Sequence, residues 1–198
     1  MADVPHNYIV GAFTNGAVAG EHAATYTLEN DLATYDPAEV AAEQHRALAP
    51  ARRDAGIPPN QIEYKTRRLV NDCLQPPKVT RKYQLAQDRF AEIRNDLETA
   101  RFARDPHELM RSLEVSSILD CADMAAHASL FRTESRWGPC HHRVDFPERD
   151  DENWFCHTIL SKVDWRMTSA KRAVEPYIVP IADTERDAYD RQRIHQPA

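Results

Sequence analysis

The segment VTRKYQLAQDRFAEIRNDLETA, residues 79–100, carries the clearest structural pattern in this sequence. Its apolar side chains recur every seven residues in two series that are offset by three positions. The two series are Tyr83, Phe90 and Leu97, and Ala86, Ile93 and Ala100. A seven-residue apolar repeat forms a stripe along one side of an α-helix, and such a stripe packs against neighbouring helices. The segment therefore predicts a central helix of a helical bundle.

Capping motifs and prolines place further helices around this one. The tetrapeptides at 36–39 and 105–108, DPAE and DPHE, each combine an N-cap Asp, a Pro at the first helical position and a Glu three residues after the cap. Proline pairs at 58–59 and 76–77 mark helix ends or starts. We predict helices at about 37–55, 60–75, 79–100 and 106–132. Short connections between them favour antiparallel neighbours.

The first thirty residues follow a different pattern. The stretch 6–30 reads as a helix that has no charged residue before Glu21 and has small side chains at many positions. A surface helix of an independent domain normally has a polar face along such a length. We therefore expect this helix to be buried against a large partner.

The sequence after residue 133 is irregular and β-prone. Residues 154–160 and 173–179 are predicted to form a small hairpin, and the end of the chain is polar, which is typical of a peripheral tail. The predicted fold class is mainly α: three to four antiparallel helices over 36–133, followed by an irregular segment with a small β-hairpin over 134–198.

Composition excludes several classes of function. A net charge of −6 argues against a dedicated nucleic-acid-binding protein, because such proteins usually carry a basic surface. No apolar run is long enough to span a bilayer, so no direct membrane insertion is expected and a cytoplasmic location is the default expectation. Four irregularly spaced cysteines suit reduced thiols better than a disulfide framework.

Residues 134–154, ESRWGPCHHRVDFPERDDENW, concentrate most of the reactive side chains, and three interpretations compete. A zinc site would use Cys140, His142, Cys156 and His157, but adjacent ligand pairs fit one tetrahedron poorly. A nucleophile at Cys140 beside a histidine would require an arrangement that sequence proximity alone does not establish. The third interpretation is a set of ion pairs in which the acidic run at 149–152 pairs with arginines 136 and 143.

Two parts of the sequence carry a family resemblance. Glu134-Ser135-Arg136, followed by the ERDDENW run at 148–154 and by His157-Thr158, resembles the C-terminal region of the succinate dehydrogenase and fumarate reductase flavoprotein family. The HHRVDFP segment at 141–147 and the opening PHNYIVGAFTNGAVAGEHAA at 5–24 are similar to the adenylylsulfate reductase alpha-subunit branch of that family. The resemblance extends over most of the chain.

The resemblance implies a role at a flavin. In the family, the helix that matches residues 6–20 ends the FAD-binding domain, so residues 1–35 are expected to be the C-terminal remnant of that domain. Asn7, Tyr8 and Ile9 then match the residues that contact the isoalloxazine ring. The positive end of a helix dipole stabilises negative charge on a reduced flavin. FAD is thus the implied cofactor of the intact enzyme, and an iron–sulfur electron-transfer subunit is an implied partner.

The sequence also lacks what the family uses for cofactor binding. There is no GxGxxG phosphate loop, and the substrate-binding His and Arg of the family lie upstream of the segment that matches Pro5. We therefore expect the chain to need the remainder of the FAD and capping domains, and to bind no FAD and show no turnover alone. The alternative is a non-catalytic helical interaction module.

Overall fold

A computed structural model describes residues 7–32, 34–136, 138–163 and 166–174 of the chain. Contacts divide the chain into two units, residues 1–46 and 47–198. The elements, in chain order, are helices α1 Asn7–Glu29, α2 Pro37–Leu48, α3 Pro59–Leu69, α4 Thr80–Thr99, α5 Pro106–Phe131 and α6 Asp151–Trp154, then strands β1 Cys156–Val163 and β2 Arg166–Ala173. The mainly helical fold with a small antiparallel sheet agrees with the fold class predicted from the sequence.

The first unit contains α1 and most of α2. Large apolar side chains on α1 and on the connection that follows it are exposed to solvent, including Phe13 at 78% and Leu28 at 89% of their full area. Around the three glycines of α1, a Cβ atom would meet no other atom within 4 Å. Within this unit α1 therefore presents an apolar, small-residue surface that its own neighbours leave open. No helix among the described residues is long and apolar enough to cross a membrane.

Both predicted N-caps are present. The Asp36 side chain accepts a hydrogen bond from the Ala38 N–H at 2.8 Å, and Asp105 accepts one from the Glu108 N–H at 2.8 Å. The prediction that α2 reaches residue 55 is wrong, because α2 ends at Leu48 and a 3₁₀ turn, Ala49–Arg52, follows. Pro50 lies in this turn and is buried, and its missing N–H and fixed ring prevent the helix from continuing.

The second unit is built around α3, α4 and α5. The apolar stripe of α4 is the centre of its core: Tyr83, Ala86 and Phe90 have no exposed surface. The other core members are Ile62, Cys73, Leu74, Ile93, Leu97, Val115, Leu119, Ala122 and Ala126. A π-helical turn, Val70–Leu74, extends α3 and contributes the two core residues at 73 and 74. The seven-residue repeat therefore identified the buried face of the bundle correctly.

The hairpin lies partly outside the predicted positions. Trp154 ends the single-turn helix α6, and β1 begins at Cys156. The second strand was predicted at 173–179, but β2 is Arg166–Ala173 and pairs with β1 from Cys156↔Ala173 to Val163↔Arg166. The error arose because β2 is mostly polar and exposed, so an apolar run could not mark it. Residues 175–179 and the polar tail lie outside the described residues.

A tight backbone contact fixes the start of α3 against the end of α4. The Ile57 N–H donates to the Ala100 carbonyl at 2.7 Å, and the Phe102 N–H donates to the Ile57 carbonyl at 3.0 Å. Gly56 lies beside this pairing, and a Cβ atom there would overlap the Ala100 carbonyl oxygen and lie 2.9 Å from the Phe102 Cβ. Only glycine fits at this position without a shift of the backbone.

The substitution Gly56→Ala is expected to lower the free energy of unfolding of the second unit by about 1–3 kcal/mol, the usual cost of forcing extra atoms into a packed site. Urea unfolding followed by tryptophan fluorescence measures it, because all three tryptophans lie after residue 136. Gly16→Ala is the matched control, since a methyl group there meets nothing within 4 Å. Equal stability of the two variants would contradict the prediction.

Candidate functional site

The predicted flavin contacts lie at the beginning of α1. Asn7, Tyr8 and Ile9 form its first turn, and α1 continues to Glu29. The side chains of these three residues lie outside the described part of the chain. Their position at a helix N-terminus nevertheless supplies backbone N–H groups that have no partner within the helix. The contact of these residues with an isoalloxazine ring stays a prediction.

The second unit contains a fully buried arginine. Arg143 has no exposed surface, and its guanidinium donates to five oxygen positions. Nε and Nη2 donate to the two carboxylate oxygens of Asp145, both at 2.9 Å. Nη1 donates to the carbonyls of Ser129 at 2.7 Å and Arg132 at 3.0 Å, and Nη2 also donates to the Thr80 hydroxyl at 2.8 Å. All five N–H groups of the side chain are thereby satisfied.

Aromatic rings enclose the same guanidinium. Its carbon lies 5.1 Å from the centre of the Tyr83 ring and 5.0 Å from that of Phe146. Burial raises the pKa of the Tyr83 phenol, so this ring stays neutral beside the arginine. Arg143 thus joins the beginning of α4, the end of α5 and the loop after residue 140.

Glu134 forms the centre of a second group of ion pairs. Its side chain is fully buried, and it accepts hydrogen bonds from Arg132, from Arg136 Nε at 2.7 Å and Nη2 at 3.0 Å, and from the Asp150 N–H at 2.9 Å. Arg136 also donates to Asp151 at 2.6 Å. The free-energy cost of removing such a carboxylate from water is offset only when a complete set of charged donors surrounds it. We call Arg132, Glu134, Arg136, Arg143, Asp145, Arg149 and Asp151 the arginine–carboxylate network.

The network confirms the ion-pair interpretation of residues 134–154 and corrects one pairing. The acidic run at 149–152 pairs with Arg136 through Asp151, as predicted. Arg143 was expected to pair with the same run, but its carboxylate partner is Asp145. Asp145 is closer to Arg143 in the sequence than the acidic run is. It also caps α4, because its side chain accepts a hydrogen bond from the Thr80 N–H at 2.7 Å. Hydrogen bonds from Arg143 and Thr80 hold the pKa of Asp145 well below its usual range.

The network also anchors the hairpin. Arg132 donates to the Trp154 carbonyl at 2.9 Å and to the Cys156 carbonyl at 2.7 Å, and its guanidinium lies 5.3 Å from the Trp154 ring centre. The Phe131 ring meets the Trp154 ring edge-on at a centroid distance of 5.4 Å. The Lys171 ammonium of β2 lies 3.6 Å from the centre of the same indole. One tryptophan therefore connects α5, the network and β2.

The zinc and nucleophile interpretations gain no geometric support. Among the described residues, no three His, Cys, Asp or Glu side chains converge on a point that could hold a metal ion. Cys156 and His157 are neighbours on β1, where successive side chains point to opposite faces. Cys140 is an exposed free thiol. No sequence motif marks Lys78, which the fold places close to His141.

Comparison with known proteins identifies what the chain is similar to. A family model described as fumarate reductase flavoprotein C-terminus matches residues 77–188. A fumarate reductase flavoprotein subunit of Mycobacterium tuberculosis is 36% identical over 85 residues, which are 43% of this chain and 14% of that protein. The corresponding subunit of Haemophilus influenzae is 25% identical over 150 residues, which cover 73% of this chain and 25% of that protein.

Solved structures share the fold. Adenylylsulfate reductase from Archaeoglobus fulgidus superposes with a TM-score of 0.82 at 26% identity, over 89% of this chain and 31% of that chain. A quinol–fumarate reductase structure with menaquinol molecules superposes with a TM-score of 0.70 at 23% identity, over 82% of this chain and 29% of that one. The chain therefore spans a third or less of the relatives and structures that it matches.

Replacement of the buried carboxylate by Glu134→Gln is expected to lower the free energy of unfolding by about 3–5 kcal/mol, because two desolvated arginines lose their shared counter-charge. Chemical denaturation at pH 7 measures the loss. The matched control is Glu92→Gln, which removes an exposed partner of Arg89 and is expected to change stability by less than about 0.5 kcal/mol. A similar small effect at both positions would contradict a structural role for the network.

The substitution Asp145→Asn is expected to cost about 2 kcal/mol at pH 7, because charge-assisted hydrogen bonds to Arg143 and Thr80 are weakened. The pKa of Asp145 is lower in the folded than in the unfolded state, so its stabilisation is complete above the unfolded pKa of about 3.9 and is lost as pH falls below it. Unfolding curves at pH 3 to 7 should show the difference between wild type and variant narrowing below about pH 4. A stability difference between wild type and variant that stays constant from pH 3 to 7 would contradict the lowered pKa of Asp145.

Proposed function

The chain belongs to the family of fumarate reductase flavoprotein C-terminal domains, and we propose that it works as the C-terminal part of an FAD-dependent oxidoreductase. Its family match covers residues 77–188, and the helical fold and small sheet are those of the flavoprotein neighbours. The observation that supports the proposal most directly is the apolar surface of α1, on which Phe13, Val18 and Leu28 are exposed. Such a surface suits a segment that the rest of a larger enzyme covers.

Within that enzyme, residues 1–35 would complete the FAD-binding domain, 36–133 would form the helical domain, and 134–198 would form the irregular segment with the hairpin. Asn7, Tyr8 and Ile9 would meet the flavin at the N-terminus of α1. Free N–H groups and the helix dipole at this end favour negative charge, which a reduced flavin carries at its pyrimidine side. FAD, when bound, would supply the redox chemistry, and the role of this chain would be to hold the flavin ring.

The remaining roles proposed for the chain are structural support and docking. The arginine–carboxylate network gives the region after α5 a fixed shape without regular secondary structure, which suits a rigid surface for another subunit. An iron–sulfur electron-transfer subunit is the proposed partner, since relatives of this chain include flavoprotein subunits of fumarate reductase and succinate dehydrogenase. We place the assembly in the cytoplasm, with the flavin exchanging electrons between a small substrate and that partner.

A non-catalytic interaction module is the second candidate. The observation in its favour is that the second unit has its own core, with Ile62, Phe90 and Val115 completely buried. Such a core allows the region to fold without the rest of a flavoprotein. The two candidates differ in what they require of α1, because an independent module has no reason to keep an uncovered apolar helix.

Flavin retention tests the need for the remainder of the enzyme. FAD is added to the purified chain and protein-bound flavin is measured after desalting; we expect none to be retained, because no GxGxxG loop is present to hold the pyrophosphate. The positive control is the Archaeoglobus enzyme with this chain in place of its matching C-terminal segment, which should retain FAD. Stoichiometric flavin on the chain alone would contradict the proposal.

The association state tests the role of α1. Light scattering of the purified chain is expected to show self-association, and Phe13→Lys should reduce it because a charge is placed on the apolar surface. Leu85→Lys is the matched control: Leu85 is an exposed apolar residue on α4, and its replacement should leave self-association unchanged. A monodisperse monomer for the unmodified chain would favour the independent module.

A further inference from the structure

Two polar groups in the second unit lie close together without a hydrogen-bond partner. The ring of His141 is buried, with 7% of the residue exposed, and its Nε2 atom has no partner. Lys78 is half-buried, and no hydrogen bond or ion pair from its ammonium group is found among the described residues. A buried polar atom without a partner costs about 1–3 kcal/mol, so such atoms are uncommon in folded proteins and need an explanation.

The backbone brings these two side chains to one place. Lys78 forms an isolated parallel bridge with Arg143, and the Val144 N–H donates to the Lys78 carbonyl at 2.9 Å. His141 forms an antiparallel bridge with Arg136, in the same extended segment as Arg143. Side chains two residues apart in an extended segment point to the same side. Lys78, His141 and Arg143 therefore share one side of this segment.

The electrostatic surroundings are positive. Burial lowers the pKa of Lys78, with Arg143 acting in the same direction and Cys140 opposing it. Burial and the nearby charges of Lys78, Arg132 and Arg143 lower the pKa of His141 to about 4. Asp145 offsets the charge of Arg143 and Glu134 offsets that of Arg132, but no carboxylate among the described residues pairs with Lys78.

The sign of this charge decides which ligand would fit. A metal cation at His141 Nε2 would face the Lys78 ammonium, which no carboxylate offsets, and would be repelled by it. An anion at the same point would be attracted by this charge and would satisfy the ammonium donors of Lys78.

We propose that the Lys78 ammonium and the His141 imidazole form a binding site for a small free oxyanion such as phosphate or sulfate. The site lies between the segment that enters α4 and the loop that carries Arg143. It is separate from the predicted flavin contacts, which belong to the first unit, and it uses no residue of α1. Lys78 supplies positive charge and N–H donors, and the buried ring of His141 supplies a further donor.

Binding should be coupled to the uptake of a proton. The Arg132 backbone acts on the His141 ring in the direction that raises its pKa, as a carbonyl that accepts from a ring N–H does. Because Nε2 has no partner, we assign this N–H to Nδ1, which leaves Nε2 without a proton in the neutral form. Nε2 can donate to an oxyanion only when the ring is protonated. The bound anion offsets the charges of Lys78, Arg132 and Arg143, so the pKa of His141 is higher in the bound than in the free state. Affinity therefore increases as pH falls.

Titration with inorganic phosphate and with sulfate tests the site. Long-range ¹H–¹⁵N spectra of the histidine rings at pH 6 should show a saturable shift of the His141 Nε2 signal toward the protonated position, whereas sodium chloride at the same ionic strength should produce none. Lys78→Gln should weaken binding by at least about tenfold, the loss expected for a charge-assisted hydrogen bond. The matched control, Arg81→Gln, removes an exposed charge three residues away and should leave affinity within about twofold.

The pH dependence separates this site from general screening of a basic surface. In the unmodified chain, affinity should fall by up to about tenfold for each pH unit between the free-state pKa of His141, about 4, and its higher bound-state pKa, and should level off above the latter. His141→Gln keeps a side-chain N–H donor and should bind with an affinity that no longer follows this titration. The proposal is overturned by equal responses to sulfate and chloride, by unchanged affinity in Lys78→Gln, or by equal losses in Lys78→Gln and Arg81→Gln. Lys78 is half-buried and Arg81 is exposed, so Lys78→Gln and Arg81→Gln still decide the question if His141→Gln fails to fold.

Discussion

The second unit depends above all on the burial of one arginine. The guanidinium of Arg143 is removed completely from water, yet each of its N–H groups meets an oxygen. Because a buried charge without partners would cost several kcal/mol, the chain must hold Thr80, Ser129 and Asp145 in one fixed arrangement. These residues come from the start of α4, the end of α5 and the following loop. The arginine therefore fixes the loop that carries it against the start of α4 and the end of α5.

The residues that carry the family resemblance serve mainly this architecture. Glu134 and Arg136 belong to the arginine–carboxylate network, and Trp154 joins that network to α5 and to the hairpin. A motif rich in acids, arginines, cysteines and histidines thus stabilises the fold through hydrogen bonds and ion pairs. Loops without regular secondary structure need such side-chain bonds, since few backbone hydrogen bonds are available to fix them.

Two further features lack a partner among the described residues, one in each unit of the chain. The apolar side chains of α1 are exposed, which supports the proposal that the rest of a larger enzyme covers them. Lys78 and His141 form a small polar site within the second unit, and its positive surroundings favour an anion. Binding at the apolar surface of α1 depends on the hydrophobic effect, whereas binding at Lys78 and His141 depends on uncompensated charge. They can therefore be tested independently.

Local sequence rules determined most of the helical part of this protein. The seven-residue repeat gave the buried face of α4, and the Asp36 and Asp105 motifs gave two helix starts, because helical periodicity and capping act within a few residues. Pro50 also indicates the early end of α2, because proline disfavours the continuation of a helix. The exposed strand β2, the pairing of Arg143 with Asp145 and the meeting of Lys78 with His141 could not be predicted from the sequence. Each of these depends on contacts between segments that only the folded chain brings together.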